Sequence, residues 1–195
     1  MPFYIIEHLE PKLYEWCFLE YRHISKIVGK KNLLFTNLKN LTNNEIAKLK
    51  KLGKTEEKSV LELNLDKNKT CILDPNAKKT LTPKIAKKFE NFIFGGILGD
   101  NPPKARTYEF LTQKSNFPAF NLGKMQMSTD TAVAVCKEII FDKSLAKLKF
   151  KNNLEIRIEK NLWEELPYRY LIKNNKILFT PGVKKLLKKF AEKGL

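Results

Sequence analysis

The alternation of short apolar runs with amphipathic segments along this 195-residue chain predicts an α/β fold. Four short runs carry the β-branched and aromatic side chains that are typical of buried strands. These runs lie at residues 3–7, 32–36, 70–73 and 91–94. Residues 11–28 repeat apolar side chains every three or four positions, which predicts one helix that starts at Pro11 and ends before Gly29. The order β-α-β-α-β-α-β favours an open, mostly parallel sheet with flanking helices.

The second half of the chain predicts a buried helix followed by a region of different character. Residues 128–142 are apolar on nearly all sides of a helix, which indicates a buried element. Residues 1–145 are therefore expected to form the main core, and residues 146–195 a small extension of strands and a basic helix that packs on the same domain. The other predicted elements are helices over 43–51 and after Pro83, a short helix with a loop over 54–69, and strands at 154–159, 168–172 and 176–179.

The chain carries 37 Lys and Arg residues against 21 Asp and Glu residues, a formal net charge of +16. An excess of this size favours an anionic partner, and a basic surface near RNA is the first expectation. Only four of the basic residues are Arg, and a lysine bias also follows from genome composition or growth temperature. Direct readout of bases, which relies on Arg, is therefore less expected than proximity to RNA.

The first twenty residues are acidic, in contrast to the rest of the chain. Glu7, Glu10, Glu15 and Glu20 stand there against a single Lys12. Such a segment offers a local acidic patch to a cationic substrate. Alternatively, these glutamates form the solvated face of the first helix, because charge runs usually lie at the surface. The pattern alone leaves both interpretations open.

Several classes of protein are excluded by what the chain lacks. Its cysteines, Cys17, Cys71 and Cys136, are scattered and predict no disulfide framework, and with His8 and His23 as the two histidines no metal site is expected. No run approaches the roughly 18 apolar residues of a spanning helix, and the N-terminus has no secretory apolar segment. We therefore expect a cytoplasmic protein without a membrane partner.

Three loops that leave predicted strands have unusual chemistry. They are Leu73-Asp74-Pro75, GGILGDNPP over 95–103, and NLGKMQMSTDTA over 121–132. In open parallel sheets ligands bind at the carboxyl ends of the strands, and the glycines of the second loop allow the main chain to approach a flat ligand closely. The second loop lacks both the phosphate-loop and the dinucleotide patterns. Alternatively, its glycines make only a tight turn, and the methionines of the third loop fill gaps in the core.

The run FIFGGILGDNPPKART (92–107), together with LGKMQMSTDTAVAV (122–135), resembles a SPOUT-superfamily methyltransferase family. Shorter supporting runs are YIIEHLE (4–10), CILDPNA (71–77) and ELPYRY (165–170). The resemblance implies a deep trefoil knot on the C-terminal side of the core and S-adenosylmethionine (SAM) bound within the knotted loops. The implied cofactor-binding residues are Leu73, Asp74, Gly95, Gly96, Ile97, Leu98, Gly99, Leu122, Gly123, Met125, Met127 and Thr129.

The resemblance also implies a function and leaves alternatives for the substrate. One eukaryotic branch of the family methylates the δ-nitrogen of an arginine in a small-subunit ribosomal protein, so a ribosomal-protein arginine is our first expectation. The alternatives are an rRNA or tRNA methyltransferase of the same fold, and a non-catalytic RNA- or ribosome-binding protein that keeps the knot. Most relatives of this fold dimerise, and both a monomer and a homodimer are compatible with this chain. Lys104 and Ala105 replace the Arg and Asp that the family tends to carry, a departure that concerns the substrate.

Methyl transfer to an arginine requires alignment and a carboxylate, because a protonated guanidinium is a poor nucleophile. The loop over 95–103 is called the glycine loop below, and Asp100, directly after its last glycine, is the first candidate for this carboxylate. Glu7, at the end of the first strand, is the second. Glu109 and Asp130 are further candidates. Arg106 is predicted to orient the carboxylate of the cofactor or to bind a substrate anion. Each of these residues also has a structural interpretation, as a loop cap, strand end or surface ion pair.

Overall fold

The computed structural model describes residues 1–193 and confirms an α/β fold with a six-stranded parallel sheet. The strands pair in the order β3-β2-β1-β5-β4-β6, and every pairing is parallel. Their bounds are β1 Phe3–His8, β2 Leu33–Thr36, β3 Lys54–Thr55, β4 Thr70–Leu73, β5 Asn91–Gly96 and β6 Ala119–Phe120. The strand β3 lies inside a segment for which the sequence predicted a short helix with a loop.

Six α-helices accompany the sheet within the described residues. Their bounds are α1 Glu15–Val28, α2 Asn43–Lys50, α3 Pro83–Ala86, α4 Arg106–Phe110, α5 Thr129–Ile140 and α6 Val183–Ala191. The helix α1 ends before Gly29 as predicted, but it begins at Glu15 and not at Pro11. Tyr14, the residue before α1, has an extended backbone with φ −58° and ψ 150°, and in the segment ahead of it Leu13 donates its backbone N–H to Glu45 of α2 at 2.9 Å.

Apolar side chains cover both faces of the parallel sheet, as is usual for such sheets. Tyr4 and Ile6 of β1 belong to the main cluster, which includes α1 and α5. Ile5, between them in sequence, packs on the opposite face with Ile72 and Ile93. The prediction of a buried helix is confirmed for α5, whose Val133, Val135, Cys136 and Ile139 side chains are fully buried.

The C-terminal residues form an antiparallel sheet and the last helix. Its strands are β7 Lys149–Glu159, β8 Leu162–Lys173 and β9 Lys176–Ile177. The first two make one long hairpin, where the sequence predicted shorter, separate strands. Leu186 and Val183 of α6 pack with Leu19 of α1 and Tyr170 of β8 in a second buried cluster. The boundary at residue 145 stays a prediction, and residues 194–195 of the predicted extension lie outside the described residues.

The carboxyl ends of β1, β4 and β5 meet at one edge of the sheet, where the loops of interest begin. Within residues 1–193, no group of three or more His, Cys, Asp or Glu side chains is placed to hold a metal ion. The helices of this part of the chain are too short or too polar for any of them to cross a membrane.

Candidate active site

A cleft of about 260 Å³ opens at the carboxyl ends of β4 and β5, and we call it the loop cleft. All three loops singled out in the sequence contribute to its wall. The predicted cofactor residues that line it are Leu73, Gly95, Ile97, Leu98, Gly99, Met127 and Thr129. Asp100 and Arg106, both predicted to act in catalysis, line it as well. The structure therefore brings together segments that lie more than fifty residues apart in sequence.

Four other predicted cofactor residues line a smaller cavity of about 40 Å³ that shares Leu73 and Met127 with the loop cleft. These residues are Asp74, Leu122, Gly123 and Met125. The carboxylate of Asp74 is already occupied, since it accepts the backbone N–H of Asn76 at 2.8 Å and the hydroxyl of Thr112 at 2.6 Å. Asp74 thus fixes the loop after β4 through bonds within the protein.

Gly96 does not line the loop cleft, in contrast to the prediction. It is the last residue of β5 and faces α1, where a Cβ atom would lie 2.2 Å from the hydroxyl of Tyr21 and 2.9 Å from Ile6. The absence of a side chain at Gly96 therefore allows α1 to pack closely on the sheet. Gly99 does line the cleft, and a Cβ atom there would lie 2.5 Å from the side chain of Gln126 and 2.6 Å from that of Tyr168.

Glu7 is buried at the end of β1, and the structure does not place it on the loop cleft. Its carboxylate accepts hydrogen bonds from the hydroxyls of Thr36 and Ser59 and from the backbone N–H of Val60. Burial raises the pKa of Glu7, and these hydrogen bonds oppose that rise. The arrangement joins β1 and β2 to the turn at 59–62, so Glu7 has a structural environment and not a catalytic one.

Arg106 ties the glycine loop to the segment after β1. Its Nε atom lies 2.9 Å from Asp100 Oδ2, one terminal nitrogen lies 3.2 Å from Glu10 Oε1, and the other donates to the carbonyl of Leu98. Glu10 also accepts the backbone N–H of Leu98 at 2.9 Å. Asp100 lies within 3.7 Å of Lys104 in addition to Arg106. Two cations already neutralise Asp100, which makes it a weak acceptor for a further cation.

A second cavity, of about 200 Å³, lies between α1, the hairpin strand β8 and the start of α6. We call it the Glu20 cavity. It is lined by Trp16, Glu20, Leu98, Gly99, Ser128, Tyr168, Tyr170, Phe179, Thr180 and Val183. Leu98 and Gly99 line the loop cleft too, so the two spaces meet at the glycine loop. The hydroxyl of Tyr168 donates to the carbonyl of Gly99 at 2.9 Å and joins β8 to that loop.

Glu20 is the one carboxylate on the wall of the Glu20 cavity as described here. Its Oε1 atom accepts the indole N–H of Trp16 at 3.1 Å, and its Oε2 atom accepts the backbone N–H of Thr129 at 3.1 Å. Burial, followed by the negative charge of Asp130, raises the pKa of Glu20 well above its ordinary range. Such a group can take up a proton near neutral pH.

Glu20 was predicted as part of the N-terminal acidic segment but not as a catalytic candidate, although its spacing along α1 indicates burial. Glu20 lies three residues after Cys17 and four before Ile24, which both belong to the apolar face of α1. An acidic residue at that spacing is buried unless the helix turns away from the core. The N-terminal glutamates therefore do not share one solvated face: Glu7 and Glu20 are buried, whereas Glu15 is exposed.

The remaining two carboxylate candidates lie elsewhere. Asp130 is buried and accepts the hydroxyls of Ser128 and Thr180 and the backbone N–H of Thr131, and its Oδ2 atom lies 2.7 Å from His23 Nδ1. These partners occupy both of its oxygens. Glu109 is exposed on α4 and lines neither the loop cleft nor the Glu20 cavity.

Comparison with known proteins places this geometry in a family. The yeast protein arginine N-methyltransferase SFM1 of Saccharomyces cerevisiae is 39% identical over 207 aligned residues, which cover 98% of this chain and 97% of the yeast protein. A crystal structure of yeast SFM1 complexed with SAM matches with a TM-score of 0.89 at 38% identity, over 98% of this chain and 92% of that chain.

A more distant structure supports the fold alone. A Trm10 protein of Thermococcus kodakaraensis matches with a TM-score of 0.53 at 17% identity, over 74% of this chain and 95% of that chain. The family model described as "Protein arginine N-methyltransferase SFM1-like" matches residues 3–194. The chain therefore belongs to the SFM1-like family of protein arginine N-methyltransferases.

Proposed function

We propose that this protein is a SAM-dependent methyltransferase that transfers a methyl group to an arginine side chain of a protein. The observation that carries the proposal is the loop cleft, because its wall consists of the three loops that contain the family motifs. The yeast relative is an arginine methyltransferase, and its crystal structure contains SAM. Both similarities extend over nearly the whole chain.

The residues of the loop cleft fit a cofactor with an apolar ring system and a polar tail. Leu73, Ile97 and Leu98 offer apolar contacts, while Gly95 and Gly99 expose the main chain without side chains in front of it. We assign the smaller cavity with Asp74, Leu122, Gly123 and Met125 to the same binding region. Bound SAM would supply an electrophilic methyl group on a positively charged sulfur.

The residues of this chain contribute to the reaction by positioning the glycine loop, which they do through a set of ion pairs. Arg106 and the backbone N–H of Leu98 both bind Glu10, which holds the glycine loop in place at the cleft wall. When the reacting nitrogen is held in line with the methyl group, the transfer becomes effectively unimolecular, and the entropic part of the barrier is lowered. Asp100 stays paired with Arg106 in this arrangement, and we propose for both residues a role in positioning the loop.

We propose a small-subunit ribosomal protein as the substrate, as the family resemblance implies, and the cytoplasm as the place of action. A net charge of +16 is compatible with contact to ribosomal RNA beside the methylated protein. The same charge is the observation that favours the second candidate, an RNA methyltransferase. Against it, direct base readout relies on Arg, and the chain has few Arg residues.

We propose a monomer that is knotted on the C-terminal side of the core. The helix α6 and the hairpin cover Leu19 on the outer side of α1, a surface that would otherwise be available to a second subunit. The knot is supported by the strand order, since the chain passes from β5 to the outer strand β6 and returns as α5 to pack against α1 and β5. Light scattering of the purified protein tests the monomer.

The test of the proposed function has two stages. Calorimetry first measures the binding of SAM to the purified protein, and tritium-labelled SAM is then incubated with it and with ribosomal proteins, rRNA and tRNA in separate reactions. Label in protein, recovered as δ-methylarginine after hydrolysis, is the expected result. Label in RNA would establish the second candidate instead. Absence of SAM binding would leave a non-catalytic RNA- or ribosome-binding protein.

A further inference from the structure

The last helix presents a dense set of lysines to the solvent. The exposed lysines of α6 are Lys184, Lys185, Lys188 and Lys189. They recur at spacings of three and four residues, so they share one side of the helix, with about 5–6 Å between successive turns. The helix contains no acidic residue that could balance them. Its outer side is therefore uniformly positive.

Two basic residues of α1 extend this surface beyond the start of α6. The guanidinium of Arg22 donates to the carbonyl of Pro181 at 3.2 Å, which places Arg22 beside the first turn of α6. Lys26 follows Arg22 by one helical turn on the same side of α1, and it is exposed. We call the combined surface the basic ridge, and its members are Arg22, Lys26, Lys184, Lys185, Lys188 and Lys189.

The arrangement of charges on the basic ridge is unfavourable in the free protein. Lys184 and Lys185 lie in the first turn of α6, where the helix dipole disfavours positive charge. Lys188 and Lys189 follow them by four residues each, and like charges at that spacing destabilise a helix. An anion bound along the ridge would relieve both effects.

Acidic neighbours balance only the C-terminal part of the basic ridge. Lys188 lies 3.6 Å from Glu159 and 3.9 Å from Glu192, and Lys189 lies 3.3 Å from Glu15. The other four members of the ridge form no ion pair within residues 1–193. Their positive charge is thus available to a partner from outside the chain.

The packing of α6 distinguishes between two kinds of anionic partner. A basic amphipathic helix that binds a membrane inserts its apolar side into the lipid. In α6 that side is already buried, because Val183 and Leu186 pack with Leu19 and Tyr170. Lysines that act as point charges suit a chain of phosphates, and such contacts carry no base sequence. These properties favour the phosphate backbone of RNA.

The basic ridge lies next to the Glu20 cavity without forming part of it. Thr180 and Val183 line the cavity, and Lys184 follows Val183 directly in the chain. The cavity in turn meets the loop cleft at Leu98 and Gly99. An RNA strand on the ridge would therefore run along the outer surface beside both cavities.

We propose that the basic ridge binds the phosphate backbone of RNA. The inference assigns a binding surface that the proposed function does not contain, and it rests on that function only for the choice of RNA as the polyanion. Because the ridge contacts phosphates, binding is independent of base sequence and weakens steeply with salt.

The first experiment measures the binding of fluorescein-labelled oligouridine by anisotropy at several KCl concentrations. The wild type is compared with the double variant Lys184→Gln/Lys185→Gln. The matched control is Lys78→Gln/Lys79→Gln, which removes two adjacent exposed lysines without ion pairs from the loop after β4. Each phosphate contact contributes about 0.7 to the slope of log K against log salt for a single strand.

We expect the slope for the α6 double variant to be smaller than that of the wild type by about 1.4, and its Kd at about 0.1 M KCl to be about tenfold or more higher. The control should retain the slope and the Kd of the wild type. Equal losses in the two variants would show that RNA responds only to net charge and would overturn the inference. Unchanged binding by the α6 variant would overturn it as well.

Two further measurements separate the alternatives. Binding of the wild type to phosphatidylserine vesicles but not to oligouridine would assign the ridge to a membrane and overturn the inference. SAM binding and methyl transfer to protein are measured with the same preparations, and the α6 variant should keep the wild-type Kd for SAM. Failure of the wild type in these two assays would overturn the proposed function, while the RNA titration would still decide the role of the ridge.

A footprint tests the basic ridge without any variant. The wild-type protein is acetylated with an N-hydroxysuccinimide ester in the presence and absence of oligouridine, and mass spectrometry measures the labelling of each lysine. RNA should protect Lys184 and Lys185 and leave Lys78 and Lys79 unprotected. Equal labelling of Lys184 and Lys185 with and without RNA, under conditions in which the RNA is bound, would overturn the inference.

Discussion

The buried carboxyl of Glu20 predicts that the stability of the protein falls as the pH rises through neutrality. Burial and the charge of Asp130 raise its pKa in the folded protein from an ordinary 4.5 to about 8. Between these two values the folded chain binds one more proton than the unfolded chain, so the free energy of unfolding decreases with increasing pH. The stabilisation is fully present below about pH 4.5 and is lost as the pH passes through about 8.

The size of this effect follows from proton linkage. A full proton difference changes the free energy of unfolding by about 1.4 kcal/mol per pH unit, and the difference shrinks as the pH approaches the folded pKa, so roughly 2.5 kcal/mol separates pH 5.5 from pH 7.5. The titratable groups that interact with Glu20 are Asp130 on α5, Tyr168 and Tyr170 on β8, and Cys17 and Tyr21 on α1, whose pKa values are raised by burial. The pKa values of both tyrosines of β8 are raised above the ordinary value, so they remain neutral in this range.

Urea denaturation of the wild type and of Glu20→Gln at several pH values measures the effect. The glutamine stays neutral at every pH, so the difference in unfolding free energy between the two proteins should change with pH by about 1 kcal/mol per unit. The raised pKa of Glu7 is common to both proteins and cancels in this difference. Parallel stability curves for the two proteins would refute the reasoning, and Glu15→Gln should follow the wild type.

Three further changes test the architecture of the site. Replacing Arg106 by Gln removes its contacts with two carboxylates and one carbonyl. The Kd for SAM, measured by calorimetry, should rise about tenfold or more. Arg157→Gln on the hairpin is the control and should leave this Kd unchanged. Gly96→Ala places a methyl group 2.2 Å from the hydroxyl of Tyr21 and should lower the free energy of unfolding by about 1–3 kcal/mol in chemical denaturation. Leu186→Ala opens the buried contact between α6 and α1 and should cost about 2–5 kcal/mol in the same assay, with faster hydrogen exchange in α6.

The parallel sheet could be predicted from the sequence because its strands are short, apolar on both faces and separated by helices of clear period. The segment before α1 could not be predicted in the same way. Residues 11–14 lie outside the helix, and Leu13 among them donates its backbone N–H to Glu45, 32 residues further along the chain, a contact that no local pattern encodes. The strand β3 was missed for a related reason, because its two residues gain their strand conformation from pairing with β2 and not from their own pattern.

The loop cleft could be predicted because strand exits in a parallel sheet converge by geometry, whatever the remainder of the fold does. The predictions for Gly96 and Glu7 show the limit of that argument. Both residues lie at strand ends on the correct edge, yet each is directed into the protein, toward α1 for Gly96 and toward the turn at 59–62 for Glu7. The position of a strand end therefore predicts which loops lie at the cleft. It does not predict which side chains of those loops point into the cleft, because that depends on their neighbours in three dimensions.

Glu15 and Glu20 show what a sequence reveals about a buried carboxylate. They are the same residue type on the same helix, and only Glu20 has the spacing of the apolar face. The spacing alone predicts that Glu20 is buried. Burial of an ionised carboxylate without a counter-charge is unfavourable, so the groups around Glu20 decide its protonation state. These groups include part of the hairpin, because Tyr168 and Tyr170 reach the wall around Glu20 from a part of the chain nearly 150 residues away. A charged residue at apolar spacing thus predicts a buried carboxylate, and the surroundings of that carboxylate come from distant parts of the fold.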